Sequence, residues 1–330
     1  MVSVIIPVYQ VSEYVERCIR SVMAQGYADM ECVIVDDATQ DDSIEKCEAL
    51  IRDYDGPIRF RILHHERNRG LSAARNTGTK VATGDYVYYL DSDDYIPADC
   101  IERLVSVLKD HPWMEMVQGN CVMTGNGPDR RLYIPDHPIV TTDSDGTRRE
   151  FYESRHIYIS VWNKLLSRSF LEAHDIYCRE GVEFEDLPWV FLLMKHLQRA
   201  YLYDGVTHYY CTRPGSISTA EKPKSVGCYV TIFDDIFHHL TAGREQEELK
   251  GFLYYFIKRY VSYVRMVPTF KDTIKLYKAQ CKEHHCWYAY AVLTATAVIG
   301  RLGNPLRILE WLNGLRWKMR RGSHPAIPKR

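Results

Sequence analysis

The feature that most restricts what this chain can fold into is the run from 85 to 94, Asp-Tyr-Val-Tyr-Tyr-Leu-Asp-Ser-Asp-Asp. Its first part is apolar and aromatic without alternation, the pattern of a parallel strand covered on both faces of an α/β sheet. Its last four residues hold three carboxylates, Asp91, Asp93 and Asp94. In open α/β sheets bound molecules sit beyond the carboxyl ends of the strands, so Asp91, Ser92 and Asp93 are expected to face one. Carboxylates this crowded repel one another, and a divalent cation is the simplest means of keeping them all ionised.

The preceding residues supply neighbours for that strand. Val2 to Val8 is a short β-rich run that Pro7 is expected to stop, and Ser12 is placed to cap a helix carrying Val15, Cys18, Ile19 and Val22 on one stripe. Glu31 to Asp37 reads as a second strand ending on Asp36 and Asp37, followed by a helix with Ile44, Cys47, Leu50 and Ile51 inward. Ile58 to His65 is a third strand, and Pro97 is expected to open a helix at its first position. Strands alternating with helices at this spacing predict an α/β fold with a doubly wound, mostly parallel sheet. Three loops at strand ends, Pro7 to Gln10, Asp36 to Thr39 and Asp91 to Asp94, then converge in one crevice. Neither Gly-x-Gly-x-x-Gly after the first strand nor Gly-x-x-x-x-Gly-Lys-Ser/Thr occurs, which excludes a dinucleotide fingerprint and a P-loop.

Composition narrows the class further. With 330 residues, 46% hydrophobic and 26% charged, the chain is long enough for one large domain and an appendage. A formal net charge of -1 argues against a general nucleic-acid binder, which needs a concentrated basic surface. Ten scattered cysteines form no disulfide framework and imply a reducing compartment. Cys281-Lys-Glu-His-His-Cys286 lacks paired Cys-x-x-Cys knuckles and is read as structural. No secretory pattern opens the chain, and Trp287 to Gly300 is shorter than the roughly 20 apolar residues that span a bilayer. A cytoplasmic protein is expected.

Beyond about residue 222 the strand pattern gives way to helical spacing. The expected division is therefore a domain over 1–221, with a nucleotide-side half to about 120 and a second half over about 121–221, and a helical C-terminal region over 222–330. Its last helix, over 305–321, puts Ile308, Trp311, Leu312, Leu315 and Met319 on one face, with Arg307, Lys318, Arg320 and Arg321 elsewhere. That is an interfacial pattern, which would either hold the chain at the inner face of the cytoplasmic membrane or dock onto the protein's own core or a second subunit.

Four stretches together resemble family 2 glycosyltransferases of the GT-A fold: Val2-Ser-Val-Ile-Ile-Pro-Val-Tyr9, Val35-Asp-Asp-Ala-Thr-Gln-Asp41, Asn68 to Gly78, and Asp91-Ser-Asp93 as the Asp-x-Asp motif. Trp162-Asn-Lys-Leu, Phe184-Glu-Asp186 and Arg213-Pro-Gly-Ser-Ile-Ser218 extend the likeness into the second half. Gln10 stands where an Asn is usual and Ala38 where a Gly is usual.

The resemblance implies a single inverting displacement, in which a nucleoside-diphosphate sugar, a UDP-sugar above others, gives its glycosyl group to a hydroxyl of a glycan or lipid-linked glycan. Asp37 would accept the uracil imide N–H, assisted by Asp36. Asp93 would hold Mg²⁺ or Mn²⁺ against the diphosphate, and Asp91 would reach the ribose or the metal's water. Pro7, Tyr9, Asn68, Gly70 and Ser92 line the donor loops. Arg75 would meet phosphate oxygens at the start of its helix, and Arg213 would close over the donor. Glu185 and Asp186 are the candidates for the base, because Phe184 and Leu187-Pro-Trp-Val-Phe191 make a partly dry setting; the family pattern favours Asp186. A helix cap is the plain reading of the same residue. Two other functions compete: a non-catalytic nucleotide-sugar-binding scaffold, and a sugar nucleotidyltransferase, which would want a Gly-rich loop where Pro7-Val-Tyr-Gln10 stands.

Overall fold

The computed structural model describes residues 1–125, 129–132 and 137–213, with scattered positions between 228 and 294. The chain divides into two compact units, Met1–Lys222 and Pro223–Arg330. Every described position of the second unit is helical, and the segment 305–321 lies outside the described residues. None of the nine described cysteines forms a disulfide.

In chain order the first unit runs β1 (Val2–Val8), α1 (Val15–Met23), β2 (Met30–Asp36), α2 (Ser43–Arg52), β3 (Arg59–His64), α3 (Leu71–Val81), β4 (Tyr86–Tyr89), α4 (Cys100–Asp110), β5 (Met116–Gly125), β6 (Arg130–Leu132), β7 (Ile139–Thr141), α5 (Ser144–Tyr152), β8 (Lys164–Ser167), α6 (Arg168–Ala173), α7 (Asp186–His196) and β9 (Ala200–Thr212). One sheet takes the order β3-β2-β1-β4-β8-β5-β9-β7, with β6 added on β5. β1 to β4 are mutually parallel, and β5 and β9 run the same way. β6, β7 and β8 run against them. The sheet is thus mostly parallel, as expected, but β8 is wedged antiparallel between β4 and β5.

β1 is buried along its whole length, and α1 covers it with Val15, Cys18, Ile19 and Val22. That stripe recurs every three to four residues, the period that keeps one helix face on a sheet. On the other face α3 lies close because Gly78 has no side chain: a Cβ there would come within 2.4 Å of Ile5 Cγ2. The close approach brings the start of α3 over the strand ends.

Three local expectations are corrected. Pro7 does not stop β1 but lies inside it, paired in register with Val35. The β4 ladder reaches only Ile5, whose carbonyl accepts from Leu90 N, and alternation turns Pro7 to that same, already vacated side. Its missing N–H costs the ladder nothing there. Ser12 does not cap α1, whose N-cap is Tyr14; its hydroxyl donates to Asp42 and accepts from Lys46. Pro97 precedes α4, whose N-cap is Asp99, and its carbonyl accepts from Gln25 Nε2 at 2.8 Å.

Gln10 and Ala38, the two departures from the family pattern, both adopt left-handed backbone, with φ of 51° and 56°. Asn and Gly are the residues that tolerate this region, so the loop shape is kept at a cost of about 1 kcal/mol per residue. Ala38→Gly is expected to raise stability to chemical denaturation by up to about 1 kcal/mol. A lower denaturant midpoint would show that the left-handed turn is not strained.

Candidate active site

The strand order places the carboxyl ends of β2, β1 and β4 side by side. The loops after them are laced together. Gln10 N donates to Thr39 Oγ1 at 2.8 Å, and Thr39 N donates to Asp36 Oδ1 at 2.9 Å. Asp36 Oδ2 also meets His64 Nδ1 at 3.0 Å. Pro7 is buried under this junction, whereas Tyr9 is exposed beside it.

Asp37 is almost fully enclosed, and its carboxylate holds the approach to α3. Oδ1 accepts from Arg69 N at 2.8 Å and from His65 Nδ1 at 2.7 Å; Oδ2 accepts from Gly70 N at 2.7 Å. The other ring nitrogen of His65, Nε2, lies 2.9 Å from the Thr77 hydroxyl. A carboxylate offers about four lone-pair sites, and three are taken here. The one left, on Oδ2, is taken by no described residue. Gly70, with φ of 90°, gives the sharp entry into α3 that lets two successive N–H groups reach one carboxylate. Asn68 is exposed just before it.

Arg75 departs from expectation. Instead of opening to a phosphate, its guanidinium is buried and bridges two acids, Nη1 to Glu185 Oε1 and Nη2 to Asp91 Oδ1, each at 2.6 Å. Burial works against its charge, but Asp91 and Glu185 outweigh that and push its pKa further above the ordinary arginine range. A single side chain therefore ties the acidic turn after β4 to the acid pair that opens α7.

The acidic turn is closed by Asp94 N donating to Asp91 O at 3.0 Å, with Ser92 buried inside it. Asp93 is half-buried, and its Oδ2 accepts from Arg213 Nε at 2.7 Å. Desolvation and the neighbouring Asp91 charge raise its pKa, against the pull of Arg213. Asp94 points the other way, into the protein: its oxygens take His208 Nε2 at 2.9 Å and Cys211 N at 2.8 Å. Burial holds the His208 ring neutral, its pKa lowered to about 3, and Nδ1 lies 3.2 Å from the Tyr88 hydroxyl. Tyr95 and Tyr209 bridge their backbones and stack at 4.6 Å, and Arg17 Nη2 caps Asp93 O at 3.2 Å. Asp94, His208 and Arg17 thus staple the turn to β9, with His208 and Cys211 more than a hundred residues from Asp94 in sequence.

Glu185 is buried at the N-cap of α7, and Asp186 is the first residue of that helix. Phe184 before them has φ of 64°, a strained left-handed conformation for a bulky residue, which turns the pair inward. Asp186 Oδ1 accepts from Val161 N at 3.0 Å. Desolvation first, and then the Glu185 charge, push its carboxyl up to about 7, partly opposed by Arg75. A carboxylate with that pKa is matched to taking a proton near neutral pH.

Among the described residues no group of three or more His, Cys, Asp or Glu could hold a metal ion. Asp91 Oδ2 and Asp93 Oδ1 accept no hydrogen bond from a described residue, whereas their sister oxygens are held by Arg75 and Arg213. Two carboxylates fit a cation of the kind that completes its shell with substrate phosphates and water.

A sequence model described as Glycosyl transferase family 2 matches residues 3–173, more than half of the chain. The chain is 32% identical over 224 residues to the uncharacterized glycosyltransferase EpsJ of Bacillus subtilis, a match covering 66% of this chain and 63% of that protein. It is 40% identical over 180 residues to glycosyltransferase GlyA of Streptococcus pneumoniae, covering 52% of this chain and 25% of the relative. The chain therefore spans less than two thirds of the length of either. The crystal structure of S. aureus TarS 1-349 in complex with UDP-GlcNAc has a similar fold, with a TM-score of 0.68 at 20% identity over 91% of this chain and 92% of that one. The strand-end carboxylates, the mostly parallel sheet and these likenesses agree, and the chain belongs to glycosyl transferase family 2, carried on the GT-A fold.

Proposed function

We propose that this protein is an inverting, metal-dependent glycosyltransferase that moves a sugar from a nucleoside diphosphate, UDP foremost, to a hydroxyl of a glycan or lipid-linked glycan. The observation that carries the reading is the Arg75 bridge, which sets the Asp91 turn and the Glu185–Asp186 pair in one site. A donor-holding turn and a base must share a site in a single displacement. The UDP preference is supported by the remaining acceptor position on Asp37 and by the fold shared with TarS, which was solved with UDP-GlcNAc.

Asp93 and Asp91 would hold a Mg²⁺ or Mn²⁺ ion. When bound, such an ion supplies Lewis-acid neutralisation of the departing diphosphate. Asp37, with Pro7, Tyr9, Asp36, Asn68, Gly70 and Ser92 around it, seats the nucleotide. Arg213 holds Asp93 from the end of β9, and Asp186 takes the proton of the attacking hydroxyl. Glu185 keeps Arg75 in place and adds the negative charge that raises the basicity of Asp186.

A panel of nucleotide sugars screened by thermal shift tests the donor. A ligand at about a hundred times its Kd adds about 2.7 kcal/mol to the folded state. A UDP-sugar is expected to raise Tm with Mn²⁺ but not with chelator, and Asp93→Ala to lose most of that shift. An equal shift for Asp93→Ala would remove the metal assignment. For the acceptor side, residues 305–321 are proposed to hold the enzyme on an anionic membrane. Pelleting with anionic liposomes is expected for the full chain and not for one ending at Gly303; equal pelleting would end that idea.

A further inference from the structure

The Trp162-Asn-Lys-Leu motif has no part in the account so far. Lys164, the first residue of β8, is fully buried. Its Nζ donates to Ser160 O at 2.6 Å and lies 3.4 Å from Ser160 Oγ. The other end of that same peptide unit, Val161 N–H, donates to Asp186 Oδ1 at 3.0 Å. A peptide group is planar, with its C=O and N–H on opposite sides. Lys164 and Asp186 therefore grip one rigid unit from its two ends.

The chain between this unit and Lys164 is pinned at Asn163. Asn163 has φ of 59°, and its Nδ2 donates to Gly119 O at 2.9 Å and Asn120 O at 3.3 Å. Its Oδ1 accepts from Thr207 Oγ1 at 2.6 Å. A cation at the peptide oxygen polarises the amide and strengthens donation by its N–H, more so away from water. No carboxylate of the described residues makes an ion pair with Lys164, whose direct partners are a carbonyl and a hydroxyl, with the Tyr158 ring 6.0 Å from its Nζ. A buried ammonium without a contacting acid is costly, and an apolar side chain of similar volume would fill the site with less penalty. The charge has a use beyond packing.

We propose that Lys164 is a positioning residue for Asp186, acting through the Ser160–Val161 peptide group to aim the carboxylate and to supply the positive charge that keeps it ionised. The inference rests on the reading of Asp186 as the base. Burial pushes Lys164 down to about 7, opposed by Asp186. The other charged or titratable groups facing Asp186 are Glu185 beside it, Arg75 from α3, Asp91 after β4 and the Cys178 thiol. Lys164 itself also faces Cys121 of β5 and His208 of β9. Without the ammonium, Asp186 has Glu185 and Asp91 against Arg75 alone. Its basic form is then reached only at higher pH.

The test compares the full chain with Lys164→Met, reading metal-dependent turnover of a UDP-sugar from pH 5 to 9 and UDP affinity by calorimetry with Mn²⁺. Expected are a turnover reduced about tenfold or more at pH 7, an acid limb moved up by about one pH unit, and UDP affinity within about twofold. Loss of activity at every pH with the limb unmoved would overturn the proposal, as would a loss confined to UDP affinity. If Lys164→Met does not fold, Lys164→Arg carries the test, since it keeps the charge and displaces the donor. Lower turnover with an unmoved limb supports the role, and unchanged turnover overturns it. Adding Lys164→Met to Asp186→Asn is expected to change the residual rate less than about twofold. Near-native turnover by Asp186→Asn alone would remove the base itself, whereas an inactive Asp186→Asn with an unaffected Lys164→Met overturns only the role of the lysine.

Discussion

Asp186→Asn is expected to lower glycosyl transfer by about 10² to 10⁴ while leaving the affinity for UDP and Mn²⁺ unchanged. The amide is nearly isosteric, and its oxygen can still accept from Val161 N, so the start of α7 is kept. What disappears is the capacity to take a proton from the acceptor hydroxyl. The pH dependence follows with a definite sign. The Asp186 carboxyl is raised to about 7, and the base acts only when ionised. Transfer efficiency should therefore climb with pH through about 7, and fall about tenfold per unit below it. An acid limb near the ordinary carboxylate range, or near-native transfer by Asp186→Asn, would move the base elsewhere, with Glu185 next in line.

The second large effect belongs to Arg75. Arg75→Gln leaves Asp91 and Glu185 facing each other across the space of the guanidinium, with side chains only 20% and 11% exposed. Removing one partner of a buried pair costs about 3–5 kcal/mol, and the partial exposure of Asp91 places this case at the lower end. The expected result is an unfolding free energy lowered by about 3 kcal/mol in chemical denaturation, with transfer reduced at least about 10²-fold in the fraction that remains folded. Arg75→Lys, which keeps the charge but cannot donate to both acids in the same geometry, should fall between. A variant with native stability and only weakened UDP affinity would make Arg75 a phosphate ligand after all.

The contrast between these two residues shows what could be read from the chain before its fold was known. β1 to β4, the helices between them and the three strand-end loops follow from local periodicity, because parallel strands buried on both faces and one-sided helices leave their pattern in short windows. Asp91 and Asp93 were visible for the same reason, as acids closing an apolar run, and the Glu185–Asp186 pair through its apolar flanks, Phe184 and Leu187 to Phe191, and its match to the family pattern. The partners of those acids were not. Arg75 meets Glu185 across 110 residues of sequence, Arg213 meets Asp93 across 120, and His208 meets Asp94 across 114. No local pattern encodes such pairs. The antiparallel insertion of β8 between β4 and β5 brings Lys164 and Asn163 into the sheet, and it likewise rests on long-range pairing. The misplaced caps have a different cause. Ser12 and Pro97 satisfy the local rules for helix starts, but tertiary bonds to Lys46, Asp42 and Gln25 use their atoms elsewhere.

The acidic turn itself changes meaning once its neighbours are known. Its three carboxylates face three ways: Asp91 to Arg75, Asp93 to Arg213, and Asp94 to His208. Arg75 and Arg213 each take one oxygen of the two outward acids and leave the sister oxygen without a donor among the described residues. That division explains how like charges two residues apart are held without collapse of the turn.

Whether a metal-dependent inverting displacement takes place at this turn is decided by the configuration of the first sugar released. In the absence of acceptor, water takes the place of the acceptor hydroxyl, and proton NMR follows the anomer formed from a UDP-α-sugar before mutarotation. The β-anomer is expected to appear first, with Mn²⁺ present and not with chelator. First appearance of the α-anomer, or equal release with chelator, would contradict it.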